Sequence, residues 1–117
     1  MLTEIIGVPA MLEQLAEESS ELTQVALKYA RDIRGENKTH KERTEIVQNF
    51  HEEICDVMIC LDELVGAGVI NMDEVELWSL HKTKRMEKRL QEDGYLPKEE
   101  SADEVENSSK GNSTEVE

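Results

Sequence analysis

Apolar residues recur at helical spacing in three stretches of the chain. In the first, Leu12, Leu15, Leu22, Val25, Ala26, Tyr29 and Ile33 share a face. Pro9 suits a first helical turn, where its missing N–H costs nothing, and Gly35 suits a C-terminal stop. The pattern predicts a helix from about Pro9 to Arg34. In the second stretch the apolar set is Ile46, Val47, Phe50, Ile54, Val57, Met58, Leu61, Leu64 and Val65. It predicts a helix that starts near Thr39 to Lys41 and ends at Gly66, after a polar loop over 35–40. Gly66-Ala67-Gly68 is a break. Asn71 then caps a third helix, with Glu74 at the capping-box position, running through Val75, Trp78, Met86 and Leu90 to about Asp93.

The remainder has no such pattern. From Lys98 to Glu117 there are seven acids, two lysines and many Ser and Asn, with only Ala102, Val105 and Val116 apolar. Such a segment buries too little surface to offset its ordering entropy, so an unfolded tail over 98–117 is expected behind a helical domain over 1–97. Aromatic residues make up 3% of the chain, which suits helices of Leu, Ala, Glu and Met and not a sandwich or barrel. The fold class expected is all-α.

Charge narrows the partners. Asp and Glu number 27 against 13 Lys and Arg, a formal net charge of −14. Nucleic acid and anionic membrane surfaces both require a basic face, so neither is an expected partner. No stretch approaches the length of a membrane span. The opening Met-Leu-Thr-Glu lacks a basic segment followed by an apolar run, and Cys55 and Cys60 point to different sides of one helix. A cytoplasmic protein with reduced thiols is the simplest expectation.

Acids three apart are common by chance in so acidic a chain, so their spacing alone says little. Their phase says more. At about 100° per residue, Leu22, Tyr29, Met11 and Ile33 fall within about 40° of Leu15. Glu18 lies at about −60°, inside the packing face, and Glu21 at about −120°, on its margin. Measured from Phe50 on the second helix, Glu53 and Asp56 repeat the same two angles, about −60° and about −120°. Burying a lone carboxylate costs several kcal/mol unless a charge compensates it, roughly as for any ion taken out of water. Facing each other, four such groups repel and need a hard cation. Oxygen ligands without Cys or His suit Mg²⁺, or Mn²⁺, better than zinc. The competing reading is that each acid is a boundary residue with its head in water.

The same residues resemble a known family. Glu17-Glu18-Ser19-Ser20-Glu21, followed by Glu53-Ile54-Cys55-Asp56, is similar to the EExxE…ExxD signature of MazG-like, all-α nucleoside triphosphate pyrophosphohydrolases. "LAEESSELTQVALKYARDIRG", "EEICDVMICLDEL" and "HKTKRMEKRL" read like the small single-domain members. The likeness covers roughly residues 8–92. The stretch between Glu21 and Glu53 is slightly longer than usual, with the extra length assigned to the loop from Asp32 to Lys41. The resemblance implies Glu18, Glu21, Glu53 and Asp56 as magnesium ligands and Glu17 as an outer-shell or water-orienting group. It implies cleavage between the α- and β-phosphates of a nucleoside triphosphate, and a homodimer or a dimer of dimers.

Basic groups should meet the phosphates. Lys82, Arg85 and Arg89 share a face of the third helix, and Lys28 and Arg31 follow the first acid pair by about two turns. Lys82 and Arg85 are the first choices, against a reading of all five as solvated surface charge. Trp78, Tyr29 and Phe50 are the sizeable stacking candidates for a base, each equally readable as core, and His40, His51 and His81 read as surface or boundary residues. A domain of about 90 residues buries little on its own. Cys60, Met58 and Val65 widen the second helix's apolar face beyond one partner. Three long helices per chain in a bundle, completed to a four-helix core by dimerisation, are therefore expected. The rival functional reading is a non-catalytic acidic helical interaction or regulatory module. A di-iron bundle ranks behind both, because no His stands three residues after a relevant Glu.

Overall fold

A computed structural model describes residues 1–36 and 41–97. His40 and the expected unfolded tail lie outside the described residues. All regular structure among the described residues is helical: α1 (Leu2–Ile6), α2 (Val8–Ile33), α3 (Arg43–Gly66) and α4 (Met72–Glu92). Three of these are the long helices that the apolar spacing predicts, with ends shifted by a few residues at most. None of them is long and apolar enough to cross a membrane. The chain divides into two compact units, Met1–Val75 and the residues from Glu76 onward, described separately below.

Left-handed glycines end the long helices. At the end of α2, Gly35 has φ +81°; its N–H donates to the Asp32 carbonyl and the Glu36 N–H donates to the Arg31 carbonyl. The same pair of bonds recurs at α3, where Gly68 has φ +78° and the Val69 N–H donates to the Leu64 carbonyl. A side chain at either glycine would be strained, and the motif closes carbonyls that the helix leaves open. The spacing places the α3 stop at Gly66; Gly66 is its last helical residue, and the turn itself is made at Gly68.

In the first unit α2 and α3 form an antiparallel hairpin. Arg43, at the start of α3, pairs with Asp32 near the end of α2. Tyr29 meets Phe50 edge to face, with ring centroids 5.4 Å apart. At the other end Met11, Cys60 and Leu64 make the buried core, with Leu15 and Ile70 packed against them. Full burial of a side chain such as Leu64 stabilises by about 1.5–3 kcal/mol. Cys60 therefore belongs to the core, whereas Met58 and Val65, read with it as surplus apolar surface, are exposed. Cys55 is exposed and both thiols are free.

The short helix α1 has no counterpart in the sequence reading. Five residues are too few to show a period. Long-range hydrogen bonds hold it instead. Glu63 Oε1 accepts from the Thr3 backbone N–H at 2.9 Å and from the Thr3 hydroxyl at 2.8 Å, and Thr3 is buried.

Helix α4, from the boundary into the second unit, begins as its sequence suggests: the Asn71 side-chain oxygen accepts from the Glu74 N–H at 3.2 Å. Its apolar positions Val75, Trp78, Met86 and Leu90 are all exposed.

Candidate metal centre

Glu18 is delivered by the middle of α2, and Glu53 and Asp56 by the middle of α3. The hairpin brings one carboxylate oxygen from each within 4.8 Å of the others. Two ligands on a magnesium ion, each about 2.0–2.1 Å from it, stand about 3–4 Å apart. Small side-chain adjustments suffice to place the three oxygens on one ion.

Partial burial sets these acids apart from most others, and the likewise half-buried Asp32 and Glu63 are met by Arg43 and Thr3. Glu18, Glu53 and Asp56 are all half-buried. Glu18 Oε1 and Glu53 Oε1 are buried atoms without a hydrogen-bond partner. An unsatisfied buried carboxylate oxygen is costly, and two in one place are more so. Burial holds the Glu53 carboxyl above the usual range for glutamate, and Glu21, Asp56 and Glu18 push it in the same direction. The charges acting on Glu53 thus share one sign. A proton relieves this cluster partly, and a hard divalent cation relieves it more fully.

Glu21 occupies the margin that its phase predicts. It is exposed, and its charge helps push the Glu53 carboxyl up. It flanks the three-oxygen group and is not within it. Glu17, whose phase points away from the packing face, is also exposed, and its Oε1 accepts from Gln14 Nε2 at 3.3 Å.

Two neighbours of the site escape a reading based on acids. Gln14 donates through Nε2 to Glu18 Oε2 at 2.7 Å. Its signal was available, since it stands four residues before Glu18, where side chains on a helix meet. Cys60 stands one turn beyond Asp56. Burial pushes its thiol up, and Glu18 and Asp56 push it further. The thiol therefore stays protonated, which suits a donor set of oxygens alone. His51 is exposed and its Nδ1 lies 3.0 Å from the Val47 carbonyl oxygen, outside the cluster.

The basic and aromatic candidates divide by unit. Lys28 is exposed on α2, ten residues and so about 15 Å along the axis from Glu18. Tyr29 and Phe50 are half-buried against each other and act as core. In the second unit Lys82 and Arg85 are exposed on α4. Trp78 is also exposed, and its ring stands edge to face with His81 at 6.4 Å.

No protein-family model, curated protein or solved structure matches the chain.

Proposed function

We propose that this chain is a Mg²⁺-dependent pyrophosphohydrolase of the MazG-like kind, acting in the cytoplasm on nucleoside triphosphates, deoxynucleotides foremost, to give monophosphate and pyrophosphate. The observation that carries the reading is the pair of buried, unpartnered oxygens, Glu18 Oε1 and Glu53 Oε1, in one cluster with Asp56. This donor set, oxygens alone, is of the kind that holds a hard divalent cation.

Glu18, Glu53 and Asp56 would hold the ion, with Glu21 as the fourth carboxylate from the margin. Bound there, Mg²⁺, or Mn²⁺ in its place, supplies charge neutralisation at phosphate oxygens and a polarised water. The chain's own work is positional. Two helices fix the acids from opposite sides. Glu17, exposed beside Glu18, would be an outer-shell or water-orienting group. Lys28, exposed on α2, is the basic candidate for the outer phosphates on the unit that carries the acids, while Lys82, Arg85 and Trp78 of α4 are candidates by the resemblance alone. So acidic a protein repels a polyphosphate in the absence of a cation.

Assembly belongs to the same reading. Leu12, Leu27, Met58, Ile59, Leu61 and Val65 leave apolar surface exposed on α2 and α3. A second copy, packing its own α2 and α3 there, gives a four-helix core, as a homodimer or a dimer of dimers.

The test is product analysis. The protein is incubated with a panel of NTPs and dNTPs and Mg²⁺, and the products are separated by chromatography. Monophosphate with pyrophosphate is expected, and Glu53→Gln should lower the rate by more than about a hundredfold, beyond the usual cost of disturbing a ligand's support. Diphosphate with orthophosphate contradicts the reading. Absence of turnover across the panel leaves the chain an acidic interaction module.

A further inference from the structure

Glu18 treats its two carboxylate oxygens differently. Oε2 accepts a 2.7 Å hydrogen bond from Gln14 Nε2. Oε1 is buried and lacks a partner, and Glu18 offers one oxygen to the group formed with Glu53 and Asp56. The amide that makes this division is itself doubly engaged, since the same Nε2 donates to Glu17 Oε1 at 3.3 Å. Carboxylates only accept, so an amide facing two of them must present its NH₂, one hydrogen to each. Its orientation is thereby fixed.

A hydrogen bond between side chains four apart on a helix is ordinary by itself. What distinguishes this one is the state of the other oxygen. If Gln14 only decorated the helix surface, Glu18 would have no reason to bury Oε1 unpartnered while giving Oε2 away. We propose that Gln14 is a positioning residue that holds Glu18 to one-oxygen coordination, and so biases the centre toward a small octahedral cation and against calcium. The inference rests on the metal site proposed above.

The chemistry follows from the two ions. Mg²⁺ and Mn²⁺ take six ligands in near-octahedral geometry and accept carboxylates through single oxygens. Ca²⁺ takes six to eight and readily uses both oxygens of one carboxylate. With Oε2 held by the amide at 2.7 Å, turning both Glu18 oxygens onto one ion strains or weakens that hydrogen bond. Releasing Oε2 removes that barrier and makes the larger ion a better guest. Gln14 also couples Glu17 to the site, because one amide holds a ligand carboxylate and the adjacent exposed carboxylate in fixed relation.

The experiment is calorimetric titration of the full chain with MgCl₂ and, separately, CaCl₂, in the absence of nucleotide. Gln14→Met removes the donor and keeps the length and helix propensity of the side chain. Gln14→Lys restores a donor at similar reach. Its added charge acts on both divalent ions alike and cancels in the ratio of their affinities. Wild type should prefer Mg²⁺. Gln14→Met should lose about tenfold in Mg²⁺ affinity, the usual effect of removing support from a metal ligand, while Ca²⁺ affinity holds or rises. Gln14→Lys should return the Mg²⁺/Ca²⁺ ratio toward that of wild type. A ratio unchanged by Gln14→Met, with Mg²⁺ still binding, overturns the inference and leaves the site standing. Failure of wild type to bind either ion overturns the site and the inference together.

Discussion

Glu18 and Glu53 stand on different helices, yet each buries one carboxylate oxygen, Oε1, without a hydrogen-bond partner, and the two residues belong to one cluster with Asp56. A stable fold does not gain from this arrangement in the absence of a cation. Mg²⁺ should therefore stabilise the protein, by about 2.7 kcal/mol at a hundredfold excess over its Kd. Thermal unfolding with and without MgCl₂ measures this. Glu18→Gln and Asp56→Asn should each remove most of the gain.

The metal-free protein should respond to pH in the opposite sense. Burial and the neighbouring acids raise the Glu53 pKa in the folded chain. A raised acid binds its proton more tightly folded than unfolded, so the folded state gains at low pH and loses as pH rises through the elevated value. In chelator-treated protein, stability should fall over the range just above that of an ordinary glutamate. Glu53→Gln should flatten this slope and make the metal-free protein more stable at neutral pH. Denaturant midpoints across pH, with and without Mg²⁺, check both points.

Glu63 works the other way. Hydrogen bonds from the Thr3 backbone N–H and hydroxyl lower its pKa, with Thr3 the main cause. Its contribution is present above the ordinary glutamate range and is lost as pH falls through the lowered value. Below that value α1 should come away from the hairpin while α2 and α3 stay paired. The Thr3 amide resonance, followed by NMR against pH, should move with Glu63. Thr3→Val, which keeps the backbone donor and loses the hydroxyl, should shift the transition to higher pH.

Leu64 is fully buried at the end of the hairpin, against Met11 and Cys60. Leu64→Ala should cost about 2–5 kcal/mol by denaturant unfolding. Met58→Ala, at an exposed position on the same helix, should cost far less in a monomer. A large cost for Met58→Ala that shrinks on dilution would place Met58 in a contact between copies.

The long helices were legible because each has its own period and its own stop. Asn71 and Gly35 do what their positions suggest; the phases put Glu18 and Glu53 inside the packing face and Asp56 and Glu21 on its margin, and the first three are half-buried while Glu21 is exposed. A helical period says which face is apolar and does not say whether anything covers it. Ile33, Leu12 and Leu61 follow the stripe and are nonetheless exposed. Helix α1 was invisible because Thr3 and Glu63 are sixty residues apart, and only the folded hairpin brings them together. Gln14 carries no charge, and the sequence marks it only by its place four residues before Glu18.

The central claim is that Glu18, Glu53 and Asp56 hold a divalent cation between α2 and α3. A crystal grown with Mn²⁺ tests it without reference to activity, because manganese is located by its anomalous scattering. The account predicts a peak among these three side chains, bonded to Glu18 through Oε1 and to Glu53. A map with no peak there, or with manganese only on scattered surface acids, contradicts it.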